Sequence, residues 1–380
     1  MTTRSVTIRP VRSRSDLKAF IDFPYRLYRN YPAWIPPLRQ DMRHTLNPKK
    51  NAFFEHGAIY PFLARDASGT VTGRIAAIVN GMHLKTYEDN LGYFGFFETI
   101  EEYAVAEALL DAASDRLREE GLTGVRGPTN PSINDTCGLL VDGFNKEPGV
   151  LMPYNPPYYE PFLERYGFER AMTMWGYYIH KKYVKTAKLE RGVEIVKKRN
   201  PGVTLRTLDM KRFDEEAQTI RDIYNDAWEN NWGHVPMTEA EFAQLARQMK
   251  QIVDPNIIYF VEDDGVPVGF SVSLPNINQL LRHVRNGRLF PFGVFQLLIR
   301  EKFGGITEVR TPILGVRKKY HGRGLDAILN LAAIRDGEKK GYEAGELSWV
   351  LESNVRQRNA LISFGGVVDK EYAMMEKALT

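Results

Sequence analysis

Two passages of the chain carry the same alternation of apolar strand, acidic turn and apolar strand. In Tyr60 to Asn80, Phe62-Leu63-Ala64 runs into a turn at Asp66 to Gly69, and Val71 to Ala77 returns. In Ile257 to Asn276, Tyr259-Phe260-Val261 meets Asp263-Asp264-Gly265, and Val268 to Val272 returns. Both predict antiparallel hairpins closed by glycine-containing turns. Each is preceded by an alternating strand and then helical sequence: Val6 to Arg9 before Asp16 to Tyr28, and Val203 to Arg206 before Phe213 to Trp228. Downstream, apolar residues recur at helical spacing in Glu102 to Glu119 and in Gly324 to Lys339. A strand and a short final helix follow in each half, ending at Phe162 to Phe168 and at Ile362 to Gly366. The order of elements repeats, so the pattern predicts an α/β (α+β) chain built from two similar halves.

Between the halves, Lys181, Lys182, Lys185, Lys188, Arg191, Lys197, Lys198 and Arg199 crowd residues 181–202 and predict a basic linker helix. Such a helix is either a solvated face or a surface for an acidic partner. A second interruption, 275–306, is far longer than a usual hairpin connection. Its stretch 280–303 interleaves Leu280, Leu281, Val284, Leu289, Phe290, Phe292 and Phe295 with Arg282, Arg285, Arg288 and Arg300. Helices packed on the other half would explain it. So would a lid over a long apolar ligand or a surface lying on a membrane, where arginines meet anionic headgroups.

Length and charge narrow the classes. At 380 residues the chain holds two ordinary domains. A net charge of +4, from 51 basic and 47 acidic residues, leaves no nucleic-acid footprint. One cysteine, Cys137, forms no internal disulfide, and the N-terminal residues lack a secretory signal, so a cytoplasmic protein is expected. No uncharged apolar run approaches the roughly 18 to 20 residues of a spanning helix, which leaves peripheral attachment at the inner face of the membrane as the alternative.

The chemistry concentrates in Ile313 to Leu325, where an apolar strand passes through the basic loop Lys318-Lys319-Tyr320-His321-Gly322-Arg323-Gly324 into a helix. Gly322 and Gly324 free the backbone for close approach, and the first helical amides offer unpaired N–H groups and a positive dipole end. Lys318, Lys319 and Arg323 add full charges suited to a pyrophosphate and a 3'-phosphate. The first half has no such loop. Thr99-Ile100-Glu101-Glu102 puts carboxylates at the corresponding place, where they suit a helix start but repel phosphate.

Strand, loop and helix, then a second strand at Glu346 to Leu351 with Asn354 beyond it, resemble the GNAT acyltransferases, whose loop reads Gln/Arg-x-x-Gly-x-Gly/Ala. This chain offers Lys319-x-x-Gly322-x-Gly324, with lysine as a departure at the first position. The resemblance implies two tandem GNAT-like domains, each a mixed, mostly antiparallel sheet flanked by helices. Residues 1–180 would be a degenerate copy shaping the acceptor pocket, and 203–380 the copy that binds acyl-CoA. It implies that amides from Lys319 to Leu325 hold the pyrophosphate and that pantetheine lies along the strand through Leu314 and Val316. Lys319, Gly322, Arg323, Gly324, Leu325 and Asn354 complete that site. Gly324→Glu is then expected to abolish CoA binding while leaving the fold largely intact.

Acyl transfer from a thioester to an amine needs a neutral amine, a polarised carbonyl and a proton for the departing thiolate. The family's usual tyrosine acid would fall at Leu361, so Tyr372 in the closing strand is the candidate replacement. Glu352, beside Asn354, and His234, in the loop Asn231 to Pro236, are candidate bases, each weighed against a purely structural role. Glu308 and Arg310 are further candidates. The segments around Asn130, Ser132, Asn134 and Tyr158 read as a pocket wall or as ordinary turns. With Trp232, they look like a tandem-GNAT family that includes bacterial ceramide synthases. That resemblance implies transfer of a long-chain fatty acyl group from acyl-CoA to the amine of a sphingoid base such as 3-oxosphinganine. No permanent cofactor, metal or nucleic acid is implied. The alternatives are a small polar amine, an amino acid or a protein N-terminus as acceptor, an aminoacyl-tRNA-dependent transferase, and a non-catalytic acyl-CoA or lipid sensor.

Overall fold

The computed structural model of the chain describes residues 6–229, 231–289 and 305–379. It divides into two compact units. The first comprises the described residues of Met1–Thr173, Leu280–Arg300 and Lys370–Thr380; the second comprises those of Met174–Gln279 and Glu301–Asp369.

In chain order the first unit begins with β1 (Thr7–Pro10), α1 (Arg14–Leu27) and α2 (Arg39–Thr45). There follow β2 (Gly57–Arg65), β3 (Val71–Asn80), α3 (Gly81–Tyr87), β4 (Leu91–Thr99) and α4 (Tyr103–Glu119). Next come β5 (Gly124–Gly127), β6 (Thr129–Asn130), β7 (Thr136–Cys137), β8 (Leu139–Asp142) and α5 (Tyr159–Tyr166). Ser13 starts α1 in a reciprocal cap with Asp16. Strand β3 is buried on both faces, which is why its apolar run does not alternate: Ile75 and Ala77 meet α4, while Ala76 and Ile78 meet α1.

The chain then passes through β9 (Glu169–His180), α6 (Thr186–Arg199), β10 (Val203–Thr207), α7 (Phe213–Trp228) and α8 (Glu239–Met249). Strands β11 (Ile258–Asp263) and β12 (Val266–Pro275), the short α9 (Asn278–Leu281), β13 (Glu308–Val316) and α10 (Leu325–Lys339) come next. Strand β14 (Ala344–Leu351), α11 (Val355–Ser363) and β15 (Val367–Ala378) finish it. In the second unit, α6 and α10 cover one face of β11 and β12 through Val193, Leu325, Ile328 and Leu329, and α7 covers the other through Ile220, Ile223 and Phe213.

The predicted elements occur nearly residue for residue, yet the units do not follow the expected split at 180 and 203. The first unit's sheet runs β1-β2-β3-β4-β5-β15, with β8 also on β15, and the second's runs β9-β14-β13-β12-β11-β10. The last strand of the chain therefore completes the first unit, where Met375 faces Gly127 and Tyr372 faces Leu140. From Met174 on, strand β9 serves the second unit by pairing antiparallel with β14. In each unit one parallel pair, β4 with β5 and β13 with β14, interrupts an otherwise antiparallel ladder.

The interruption at 275–306 is described only in part, and 290–304 lies outside the described residues. Its first portion packs on the first unit. Arg285 donates to the carbonyls of Trp34 and Pro32, Arg39 donates to those of Asn286 and Gly287, and Val284 is buried.

Candidate functional site

The parallel ladder between β13 and β14 stops early. Pairing covers Glu308↔Ala344 to Thr311↔Leu347 and goes no further. Beyond that point β13 stays paired on its other side to β12 as far as Val316, and β14 stays paired to β9 as far as Leu351. The two strands thus part into a wedge with main-chain edges on both inner sides. An extended, amide-bearing arm can lie there and use those edges.

At the open end of β13 the chain makes a short turn over Lys318–Tyr320 and enters α10 through two left-handed glycines, Gly322 at φ 82° and Gly324 at φ 81°. No side chain caps α10. Ala327 N donates to Gly324 O and Arg323 N to Tyr320 O, which leaves the amides of Leu325 and Asp326 at the helix start for an anion. Lys319 and Arg323 are exposed on either side of Tyr320. Lys318 is tied to α7 instead, its amide donating to Asp226 at 2.8 Å and its ammonium pairing with Glu229. His321 turns back onto the carbonyl of Val316 at 2.7 Å.

The two glycines serve different ends. A Cβ on Gly322 would meet open space, whereas one on Gly324 would fall 2.6 Å from Val196 Cγ2 of the linker helix α6. Gly324 thus lets α6 pack across the start of α10, and a Gly324→Glu side chain enters only by displacing Val196, from a left-handed position that already disfavours a Cβ. The change therefore carries a packing cost at α6 as well as its effect on the loop. Asn354 is spent locally: its side chain caps α11 by accepting from Gln357 N at 3.2 Å.

In the first unit the corresponding wedge is filled. The β4–β5 ladder ends at Tyr93↔Arg126, but the chain after β5 carries on beside β4, bringing Thr129 against Gly95 and Asn130 against Phe96. Asn130 Oδ1 accepts from Phe96 N at 2.6 Å, and a Cβ on Gly95 would lie 1.6 Å from Thr129 O. Tyr158 donates to Thr99 O at 2.7 Å, further along the same strand, and burial raises its phenol pKa. Ser132, buried, accepts from Asn134 N at 3.2 Å within one turn. Asn130 and Tyr158 are thus bonded to β4, Ser132 and Asn134 are bonded to each other within the turn that follows, and Trp232 belongs to the second unit, half-buried.

The catalytic candidates are dispersed. His234 is buried in the second unit with its ring edge-on to Tyr224 at 5.2 Å; burial lowers its pKa, against a smaller upward pull from Glu229. Glu352 is exposed at the end of β14, where its carbonyl accepts from Arg358. Tyr372 is fully buried in the first unit's sheet.

Two buried charged networks stand out that sequence reading passed over in whole or part. In the second unit Arg310 Nε donates to Ser348 Oγ at 3.0 Å, Arg310 Nη2 donates to Ser348 O at 2.9 Å, and Ser348 Oγ donates to Glu346 Oε1 at 2.8 Å. In the first, Tyr28 and Tyr159 both donate to Glu98, and Arg74 approaches it at 3.6 Å. Burial pushes the Glu98 carboxyl up, while Arg74 and the two phenols pull it down. The only signal in the sequence was a charge inside an apolar strand. Among the described residues no group of acids, histidines and cysteine is arranged to hold a metal, and no helix is long and apolar enough to cross a membrane.

Two units in tandem, each a mostly antiparallel sheet with one parallel pair, make a tandem GNAT fold. The tandem GNAT protein from the clavulanic acid biosynthesis pathway shares it over 99% of both chains, with a TM-score of 0.59 and 13% identity. A GCN5-related N-acetyltransferase from Sphaerobacter thermophilus matches over 98% of this chain and 96% of its own, with a TM-score of 0.53 and 10% identity. No family model matches the chain. Protein YghO of Escherichia coli (strain K12) is 36% identical over 98% of this chain and 95% of its own. With 40% identity to the bacterial ceramide synthase of Caulobacter vibrioides (strain NA1000 / CB15N), over 100% of this chain and 99% of that one, the protein is an N-acyltransferase of the tandem GNAT class. It belongs to the bacterial ceramide synthase family.

Proposed function

We propose that the protein transfers a long-chain acyl group from acyl-CoA to the amine of a sphingoid base such as 3-oxosphinganine. The observation that carries the donor half is the open wedge between β13 and β14, leading to the uncapped start of α10. Pyrophosphate would sit at the loop from Gly322 to Leu325, taking main-chain amides there that the turn does not use, with Lys319 and Arg323 beside it, and pantetheine would follow the inner edge of β13 past Val316 and Leu314. The first unit, its own wedge filled by Thr129 and Asn130, binds no CoA in this reading. The acceptor class rests on kinship with the ceramide synthase.

The reaction forms a C–N bond, breaks a C–S bond and moves the amine's proton to the CoA sulfur. Of the candidate bases, His234 suits the role best, because burial keeps its ring neutral and able to accept a proton. Glu352 stands exposed in water, and Tyr372 lies inside a sheet, so we give neither the leading part. Peripheral membrane contact through 280–303 belongs to the same reading for a lipid substrate, though Arg282 and Arg285 already serve Glu147 and the carbonyls of Trp34 and Pro32.

The test is thiol release from palmitoyl-CoA by the purified protein, with mass spectrometry of the product. N-acylated sphingoid base supports the assignment. Turnover only with a polar amine removes the acceptor class, and binding without turnover with any amine removes the enzyme reading for this donor.

A further inference from the structure

The Arg310–Ser348–Glu346 network lies where the two strands of the donor wedge separate. Thr311↔Leu347 is the last ladder pair, Arg310 is the residue before it on β13, and Ser348 is the residue after it on β14. All three network residues are buried, with Arg310 3%, Ser348 2% and Glu346 6% exposed. A charged guanidinium is costly to bury unless its donors are used, and here it spans from one strand to the other through both the hydroxyl and the carbonyl of Ser348. Ser348 passes the bond on to Glu346, and the face of Trp349 lies 5.5 Å from the Arg310 guanidinium carbon. The bridge holds the strands together at the point where main-chain pairing ceases, so it fixes where the wedge opens and at what angle.

That position coincides with the reacting end of the donor. If pyrophosphate sits at Gly322 to Leu325, pantetheine runs back along β13. From Val316 to Thr311 the strand covers about 17 Å at its usual rise per residue. An extended pantetheine arm is of comparable length, so its sulfur arrives at the vertex. We infer that Arg310, Ser348 and Glu346 form a positioning device that registers the thioester at the vertex of the wedge, Ser348 being the joint between the strands. The inference rests on the donor reading above. Arg310 and Glu346 act through the strand geometry, and no proton transfer is assigned to them.

The experiment compares wild type, Ser348→Ala and Ser348→Thr in the full chain. It measures CoA dissociation constant by calorimetry, kcat and KM for palmitoyl-CoA, and the thermal midpoint. Ser348→Ala removes the one hydroxyl that bonds both Arg310 Nε and Glu346 Oε1. The expected result is a kcat lowered about tenfold or more, with CoA affinity and KM within about twofold of wild type, since a misplaced thioester costs rate and not binding. Ser348→Thr, which keeps the hydroxyl, is expected to recover most of kcat. An unchanged kcat in Ser348→Ala overturns the inference. So does a loss of kcat accompanied by equal loss of CoA affinity and a lowered thermal midpoint, which is the mark of a merely structural bridge. If the wild-type chain binds no CoA, the donor reading falls and takes this inference with it, an outcome distinct from the other two.

Discussion

At the scale of single residues, the loop before α10 shows what sequence can and cannot say about a glycine. Both Gly322 and Gly324 were legible as special, because a basic loop entering a helix has few other uses for them. Their separate reasons were not legible, since Val196 is far from Gly324 in sequence. The two sites therefore differ on substitution. Gly322→Ala carries only the strain of a left-handed backbone, about 1 kcal/mol. Gly324→Ala adds the collision with Val196 Cγ2 and is expected to cost about twice that. Urea denaturation of both variants measures the difference; equal losses would mean that α6 yields freely at Val196. His234 offers a second check. Burial lowers its pKa below the ordinary 6.5, so the native state binds fewer protons there than the unfolded chain does. Its contribution to stability is complete above about 6.5 and is lost as pH falls through the lowered native value. The urea midpoint should thus drop on acidification from pH 7 to pH 5, and His234→Gln should flatten that part of the slope. If His234 also serves as base, kcat in the wild type keeps its plateau to below pH 6.5.

At the scale of elements, hairpins and helices were readable because each carries its own periodicity, and α7 spans the predicted Phe213–Trp228 to the residue. The filling of the first wedge was not readable. Gly127-Pro128-Thr129-Asn130 looks like any turn, and only pairing with β4 reveals that Thr129 O presses on Gly95 and that Asn130 supplies the partner of Phe96 N. The same physics explains why Asn130 and Tyr158, taken from sequence as pocket groups, are found bonded to the β4 backbone. Gly95 should accordingly tolerate nothing larger. Gly95→Ala forces a Cβ into a carbonyl oxygen within a fully packed strand, and a loss of roughly 3 kcal/mol or more is expected, visible as a thermal midpoint lowered by several degrees or as insoluble protein. A variant as stable as wild type would show that the filling segment is loosely held, and with it would go the argument that this wedge is closed to pantetheine.

At the scale of the whole chain, the repeat was legible but its boundary was not, because hydrophobic pattern tells a strand where its faces are and not which neighbour it will take. Residues β9 and β15 each follow a completed strand-helix sequence, and local reasoning assigns each to the half it ends. The ladders do the reverse: β15 joins β5 and β8 of the first unit, and β9 joins β14 of the second. From this follows a prediction about fragments. Residues 1–180 lack the strand that carries Tyr372, Ala373, Met374 and Met375, all fully buried, and the Arg126–Glu376 and Arg170–Glu371 pairs as well. Losing the burial of those side chains and of Leu379 costs on the order of 8 kcal/mol, which is as much as many whole domains possess. The fragment is therefore expected to show no cooperative melt and poor dispersion of its amide resonances when alone. Production of 181–380 in the same cells should restore it, because that piece brings β15 with it. A fragment 1–180 that melts cooperatively alone would mean that β9 can turn back to fill the vacant edge of β5, and the exchange would then be a choice made late in folding and not a requirement of either core.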